Sequence, residues 1–169
     1  PETDGRGELS GKTVKYTVTV KNVQAKILPE ADDALASRIS EFDTMDELRA
    51  ELDRRLTEQA RADALDALEA ALAAGDRRHE AMSRRLLGIL HQRDGDLPAA
   101  RTELGASVDI FRELGDDIEL AASLRERGFA EVFGGSLEDA EWLLGEAEGL
   151  SERLGDRRGQ AWVRQHQAW

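Results

Sequence analysis

Apolar and polar residues alternate one for one from Thr13 to Val23, with Val14, Tyr16, Val18 and Val20 on one side and Lys15, Thr17, Thr19 and Lys21 on the other. That period of two predicts a half-buried β-strand. No second run of equal quality follows, so the backbone of this strand calls for a partner outside the local sequence. Beyond Pro29 the acidic stretch Glu30 to Asp33 suits a helix N-terminus, where negative charge offsets the helix dipole, and it predicts a short helix through Ile39. Thr44 and Glu47 have the spacing of a capping box, in which hydroxyl and carboxylate satisfy orphan amides reciprocally. A long helix should start there and run to about Ala74, with Leu48, Leu52, Leu56, Leu65, Leu68 and Leu72 as its apolar stripe.

The rest of the chain repeats. Gly75-Asp76, Gly115-Asp116 and Gly155-Asp156 recur every 40 residues, and the residues between them stay in register. Ala81 pairs with Ala121 and Ala161, Ser83 with Ser123, Arg85 with Arg125, Gly88 with Gly128, Ala100 with Ala140, Leu104 with Leu144, and Leu114 with Leu154. Each copy reads as helix, tight turn, helix, connector. The helices are expected at Arg77 to Arg93, Pro98 to Leu114, Ile118 to Phe133 and Leu137 to Leu154, with glycines at the turns and Pro98 in a first helical turn, where its missing N–H costs nothing. The third copy reaches Trp169 after one helix, which leaves an apolar face awaiting a neighbour. The expected fold class is therefore mostly α: antiparallel helix-hairpin repeats stacked as an α-solenoid over residues 75–169, preceded by a strand-and-helix segment over residues 1–74.

Composition narrows the function. The net charge of -12 argues against nucleic acid, because phosphate backbones demand clustered Lys and Arg. Cysteine is absent, which removes disulfides and thiolate chemistry and makes a reducing cytoplasm the expected compartment. No apolar run approaches the ~20 residues of a membrane span. Gly7 to Thr13 has a superficial likeness to a phosphate-binding loop, but Arg6 stands where the first glycine should be and the loop opens a strand instead of a helix. His79, His91 and His166 lack ligand spacing, and no Ser-His-Asp order is marked by a strained nucleophile turn. No metal, no cofactor and no catalytic residue is expected.

The repeat resembles the tetratricopeptide repeat. The small positions that let helices approach closely are met by Gly88, Ala100 and Ser107 in the first copy and by Gly128, Ala140 and Ala147 in the second, with Leu87, Leu104 and Leu144 at apolar positions. Arg127 departs from the pattern where an apolar residue is expected, and Arg84 stands where an aromatic is common. The period also exceeds the usual ~34 residues. The resemblance implies that the first helix of each copy lines a concave groove, formed by Met82, Arg85, Ile89, Gln92 and Arg93, then Arg125, Phe129, Val132 and Phe133. Ile89, Phe129 and Phe133 fit either groove anchors or core packing, whereas Arg85 and Arg125, repeated in register, read as surface residues able to meet a carboxylate. Trp142, Trp162 and Trp169 are expected to pack against neighbouring repeats.

The first part of the chain is similar to a different family, trigger factor, a ribosome-associated bacterial chaperone. The residues that carry the likeness are the run from Leu9 to Lys21, then Leu28 to Asp33, then Ser40 to Thr44 with Glu47-Leu48-Arg49. In that family such a run ends the FKBP-like prolyl isomerase domain and begins the chaperone body. Most of the isomerase domain and the ribosome-binding tail have no counterpart here, so the resemblance implies an affinity for unfolded chains without isomerase activity. The two likenesses meet near Ala71 to Asp76. Two functions follow: a groove that binds a peptide or protein partner, or a chaperone piece that holds unfolded clients. Self-association through the N-terminal strand or the C-terminal repeat face is the further contact that the pattern allows.

Overall fold

The computed structural model describes residues 19–22 and 29–167, with side chains described as far as Gln165. Among the described residues there are seven helices and no strand: α1 (Asp33–Ile39), α2 (Met45–Ala74), α3 (Arg77–Arg93), α4 (Leu97–Leu114), α5 (Asp117–Gly134), α6 (Leu137–Leu154) and α7 (Arg157–Gln167). The strand expected over Thr13 to Val23 lies outside the described residues except for Thr19 to Asn22, which are exposed and adopt no regular element. The chain is mostly helical, and no β-segment of the expected fold class occurs among the described residues. The helix boundaries expected for α3 and α6 are met residue for residue, those of α4 differ by one residue at its start and those of α5 by one residue at each end.

The chain divides into two compact units, Pro1–Met45 and Asp46–Trp169. In the first, α1 is opened by Asp32, whose side chain accepts the Leu35 amide at 2.9 Å, and Asp33 Oδ1 accepts the Met45 amide at 2.8 Å. Ala36 is its one buried helical residue. A seven-residue helix is too short to persist alone in water, so these caps matter to it.

The second unit owes its regularity to its turns. Gly75, Gly115 and Gly155 adopt φ of 68°, 66° and 68°, a left-handed conformation that closes a helix and that side chains with a Cβ resist. The aspartate that follows reopens the chain as a helix: Asp76 accepts from the His79 amide and Asp116 from the Glu119 amide. Asp96 and Ser136 do the same for α4 and α6.

Packing follows the small residues. A Cβ built on Gly88 would lie 2.5 Å from Leu104 Cγ, and one on Gly128 would lie 2.8 Å from Leu144 Cγ. Each glycine is thus a notch in the first helix of a pair that receives a leucine from the second. α3 packs on α4, α4 on α5, α5 on α6 and α6 on α7, while α3 touches α5 and α5 touches α7. The first helices of the copies therefore line one side and α4 and α6 the other. Phe111, Leu104 and Leu124 are fully buried between them. Ser107 and Ser123 share a hydrogen bond of 2.9 Å across α4 and α5, which explains small polar residues at sealed positions.

α2 differs from the other long helices. Ion pairs join Arg61 to Asp94 and Arg93 to Asp53, so α2 runs back along α3, and Ala64 and Ala71 are buried. With 30 residues against 17 it is about 45 Å long beside about 25 Å, and its first turns reach past the end of α3. The leucine stripe expected to pack is largely open: Leu52, Leu56, Leu65 and Leu72 are 49%, 69%, 50% and 52% exposed. The buried residues of α2 are alanines instead, Ala64 and Ala71.

Overpacking the notch should cost stability. Gly128→Ala is expected to destabilise the protein by about 1–3 kcal/mol in urea unfolding. Gly145, also inside a helix, has nothing within 4 Å of a built Cβ, so Gly145→Ala should stabilise by about 0.5–1 kcal/mol. Equal effects at the two sites would contradict the notch.

Candidate functional site

The side formed by α3 and α5 holds an apolar cleft of about 550 Å³, lined by Ile89, Gln92 and Arg93 from α3, Leu97 from α4, and Glu126, Phe129 and Phe133 from α5. Phe129 is its centre. Its ring meets Phe133 edge-on at 4.9 Å between centroids and Trp162 at 5.8 Å, so three aromatic rings run from α5 onto α7. Phe133 is 59% exposed, which leaves one end of the row open to solvent. A row of this kind offers flat apolar surface at low entropic cost, bordered by one amide, one carboxylate and one guanidinium.

Five of the residues expected in a groove, Ile89, Gln92, Arg93, Phe129 and Phe133, converge on this cleft. Met82 packs against the main core instead, and Val132 is half-buried on α5. Arg93 lines the cleft while paired with Asp53 of α2. Arg85 and Arg125 are engaged within the array. Arg85 donates to the Glu119 carbonyl at 3.1 Å, to Ser123 Oγ at 3.3 Å and to Glu119 Oε2 at 2.6 Å, with its guanidinium 5.6 Å from the Phe111 ring centroid. Arg125 stands in the equivalent place, 3.7 Å from Asp156, and both side chains are only 18% exposed. Their acceptors lie one helix-pair further along, so these arginines clamp successive copies together.

Three residues of the site were not expected there. Leu97 opens α4 and Glu126 lies on a mixed face of α5, where no sequence signal marks either for the cleft. Trp162 had one: it stands two periods after Met82 and so occupies the groove register of the third copy. Trp142, expected to pack between repeats, is 63% exposed on α6, because its position falls on the outer face of the helix. Trp169 lies outside the described residues.

The departure at Arg127 also has a structural reason. Its guanidinium crosses the bare face of Gly105 to reach the Arg101 carbonyl, while its Nε donates to Glu131 Oε1 at 3.0 Å. Glu131 is fully buried and also accepts from Arg101 Nε at 3.0 Å, so an ionic triad replaces apolar packing between α4 and α5. Glu80 plays a similar part on α3. Burial opposes ionisation of its carboxyl, but hydrogen bonds from Arg84 and Arg77 prevail and hold it below the usual glutamate range. Arg84 continues to Glu103 at 2.9 Å and ties α3 to α4. His79 Nδ1 lies 2.7 Å from Asp76 Oδ2. No group of three or more His, Cys, Asp or Glu side chains that could hold a metal ion occurs among the described residues, and no helix among them is long and apolar enough to cross a membrane.

No family model and no solved structure matches the chain. Curated relatives do. The chain is 39% identical over 114 residues to the trigger factor of a Synechococcus strain, covering 68% of this chain and 18% of that protein. It is 40% identical over 78 residues to a trigger factor of Clostridium botulinum and 50% identical over 52 residues to that of Clostridium perfringens, covering 44% and 31% of this chain. The chain spans 18% or less of the length of these three relatives.

The clamp reading gives a stability test. Arg85→Ala should lower the unfolding free energy by about 1.5–3 kcal/mol, the range for hydrogen bonds to a charged group, and lower the melting temperature. A surface arginine reserved for a ligand would leave both unchanged.

Proposed function

We propose that this chain is a non-catalytic, cytoplasmic, trigger-factor-like chaperone piece that holds unfolded polypeptide. The observation that carries this reading is the set of open leucines on α2, where Leu52 and Leu56, one turn apart on one face, and Leu65 and Leu72, two turns apart on the opposite face, are each about half exposed or more. Natural surfaces rarely leave such sets without a use. Burying one leucine is worth about 1.5–3 kcal/mol, so a client that covers two of them gains enough to be retained, and the cost of association keeps the hold weak and reversible. Reversible, side-chain-nonspecific capture is what a holding chaperone needs. The similarity to trigger factors supports this reading, and that family also motivates the cytoplasmic location.

A second reading is favoured by the cleft on α3 and α5. The helix pairs resemble tetratricopeptide repeats stacked as an α-solenoid, and such arrays offer a preformed groove to a partner peptide. Phe133, open to solvent at the end of the Phe129 and Trp162 row, is the anchor that a peptide side chain would meet. The open leucines and the cleft are compatible as contact areas for one extended client.

A chemically denatured client diluted into buffer, with its light scattering followed over time, tests the proposal. Leu52→Ser with Leu56→Ser should raise the concentration needed for half-suppression of aggregation several-fold, since each loses the greater part of a leucine's transfer energy. Both positions are exposed, so the fold should persist by circular dichroism. Suppression equal to that of the parent chain counts against the open leucines, and measurable prolyl isomerase turnover counts against a non-catalytic role.

A further inference from the structure

A second cleft, of about 330 Å³, lies between α4, α5 and α6 and is used by neither surface above. Its walls include Trp142 and Asp139 of α6, Asp109 and Arg112 of α4, and Arg127 and Glu131 of α5. Both arginines are already paired with acids. Arg127 places Nε at 3.0 Å and Nη2 at 2.8 Å from Glu131 Oε1 and gives Nη1 to the Arg101 carbonyl, while Arg112 Nη2 meets both oxygens of Glu146 at 3.0 and 2.9 Å.

The acceptors are not spent. Glu131 is fully buried, and its Oε2 has no hydrogen-bond partner among the described residues. Asp109 lies 3.8 Å from Arg112 at 75% exposure, beyond hydrogen-bonding range, and Asp139 takes one hydroxyl from Ser136 at 2.5 Å. Each carboxylate therefore keeps free lone pairs, whereas each arginine of the cleft already faces a carboxylate, Arg112 that of Glu146 and Arg127 that of Glu131. Beside them stands Trp142, 63% exposed, with an open indole face. The chain as a whole carries -12.

We propose that this cleft binds the guanidinium of an arginine side chain presented by a partner protein, stacked on Trp142 and hydrogen-bonded to Asp109 and Asp139. A planar cation satisfies both halves of the site, since its face lies on the indole quadrupole and its edge carries five donors for spare carboxylate lone pairs. An anion would meet two cations whose charge is already balanced by carboxylates, and a neutral apolar group would leave the acceptors unpaired.

The whole chain, labelled with 5-fluorotryptophan and observed by fluorine NMR, supplies the test, with the Trp142 signal assigned by its loss in Trp142→Phe. The probe is the amidated peptide Gly-Gly-Arg-Gly-Gly, and the control replaces arginine by citrulline, which has the same shape without the charge. The expected result is a saturable shift of the Trp142 signal with the arginine peptide alone. Its midpoint should lie on the order of 1 mM at low salt and rise at least about tenfold in Asp109→Asn with Asp139→Asn, whose exposed side chains leave the fold intact. An equal shift with citrulline, a midpoint unmoved in the double variant, or no saturable shift up to about 50 mM would each overturn the proposal.

Discussion

The close approach of paired helices at a glycine notch is the constraint on which the array depends. Leu104 lies against Gly88 and Leu144 against Gly128, and neither leucine could sit there if the facing helix carried a Cβ. Once the two helices of a pair are drawn together, the remaining small positions, Ala100, Ala140 and Ala147, become buried floor for the next helix. The turns then need only stop one helix and start another, which a left-handed glycine and a capping aspartate accomplish locally. Geometry set at two notches is thereby propagated along a hundred residues, and the aromatic row of Phe133, Phe129 and Trp162 is one of its products.

Charge is organised around this frame. The chain is strongly acidic, yet its array arginines are turned onto acids of later helices, Arg84 on Glu103 and Arg101 on Glu131 of the next helix, Arg85 on Glu119 and Arg112 on Glu146 of the next but one. Partly or wholly buried pairs of this kind give register more than net stability, because desolvation offsets most of the attraction while a single deletion leaves a charge stranded. The consequence for recognition is an excess of uncommitted acid at the surface. The cleft at Trp142 is one place where that excess meets an aromatic face.

Much of this could be read before any coordinates. The recurrence of Gly-Asp, with Ala, Ser and Leu in register, marked the helices of residues 77–154 to within a residue, because turn chemistry and close packing are local and leave local signatures. The likeness to trigger factor is matched by the curated relatives. What stayed hidden depended on neighbours distant in sequence. Arg85 and Arg125 read as exposed because arginine usually is, and only the fold brings Glu119 and Asp156 to them. The leucines of α2 followed a helical stripe, but the stripe does not say that Ala64 and Ala71 would be the buried residues instead. Trp142 was misplaced for the same reason, since an aromatic at helical spacing does not declare which face has a neighbour.

Native-state hydrogen exchange tests the central claim most directly, because it reads where the array is held and not merely that it is helical. If the notches anchor the packing, the slowest amides should cluster in mid-helix around Gly88 and Leu104 and around Gly128 and Leu144, with the first turns of α2 exchanging far sooner. Slowest exchange in α2, or protection no greater at the notches than in those first turns, would contradict the account.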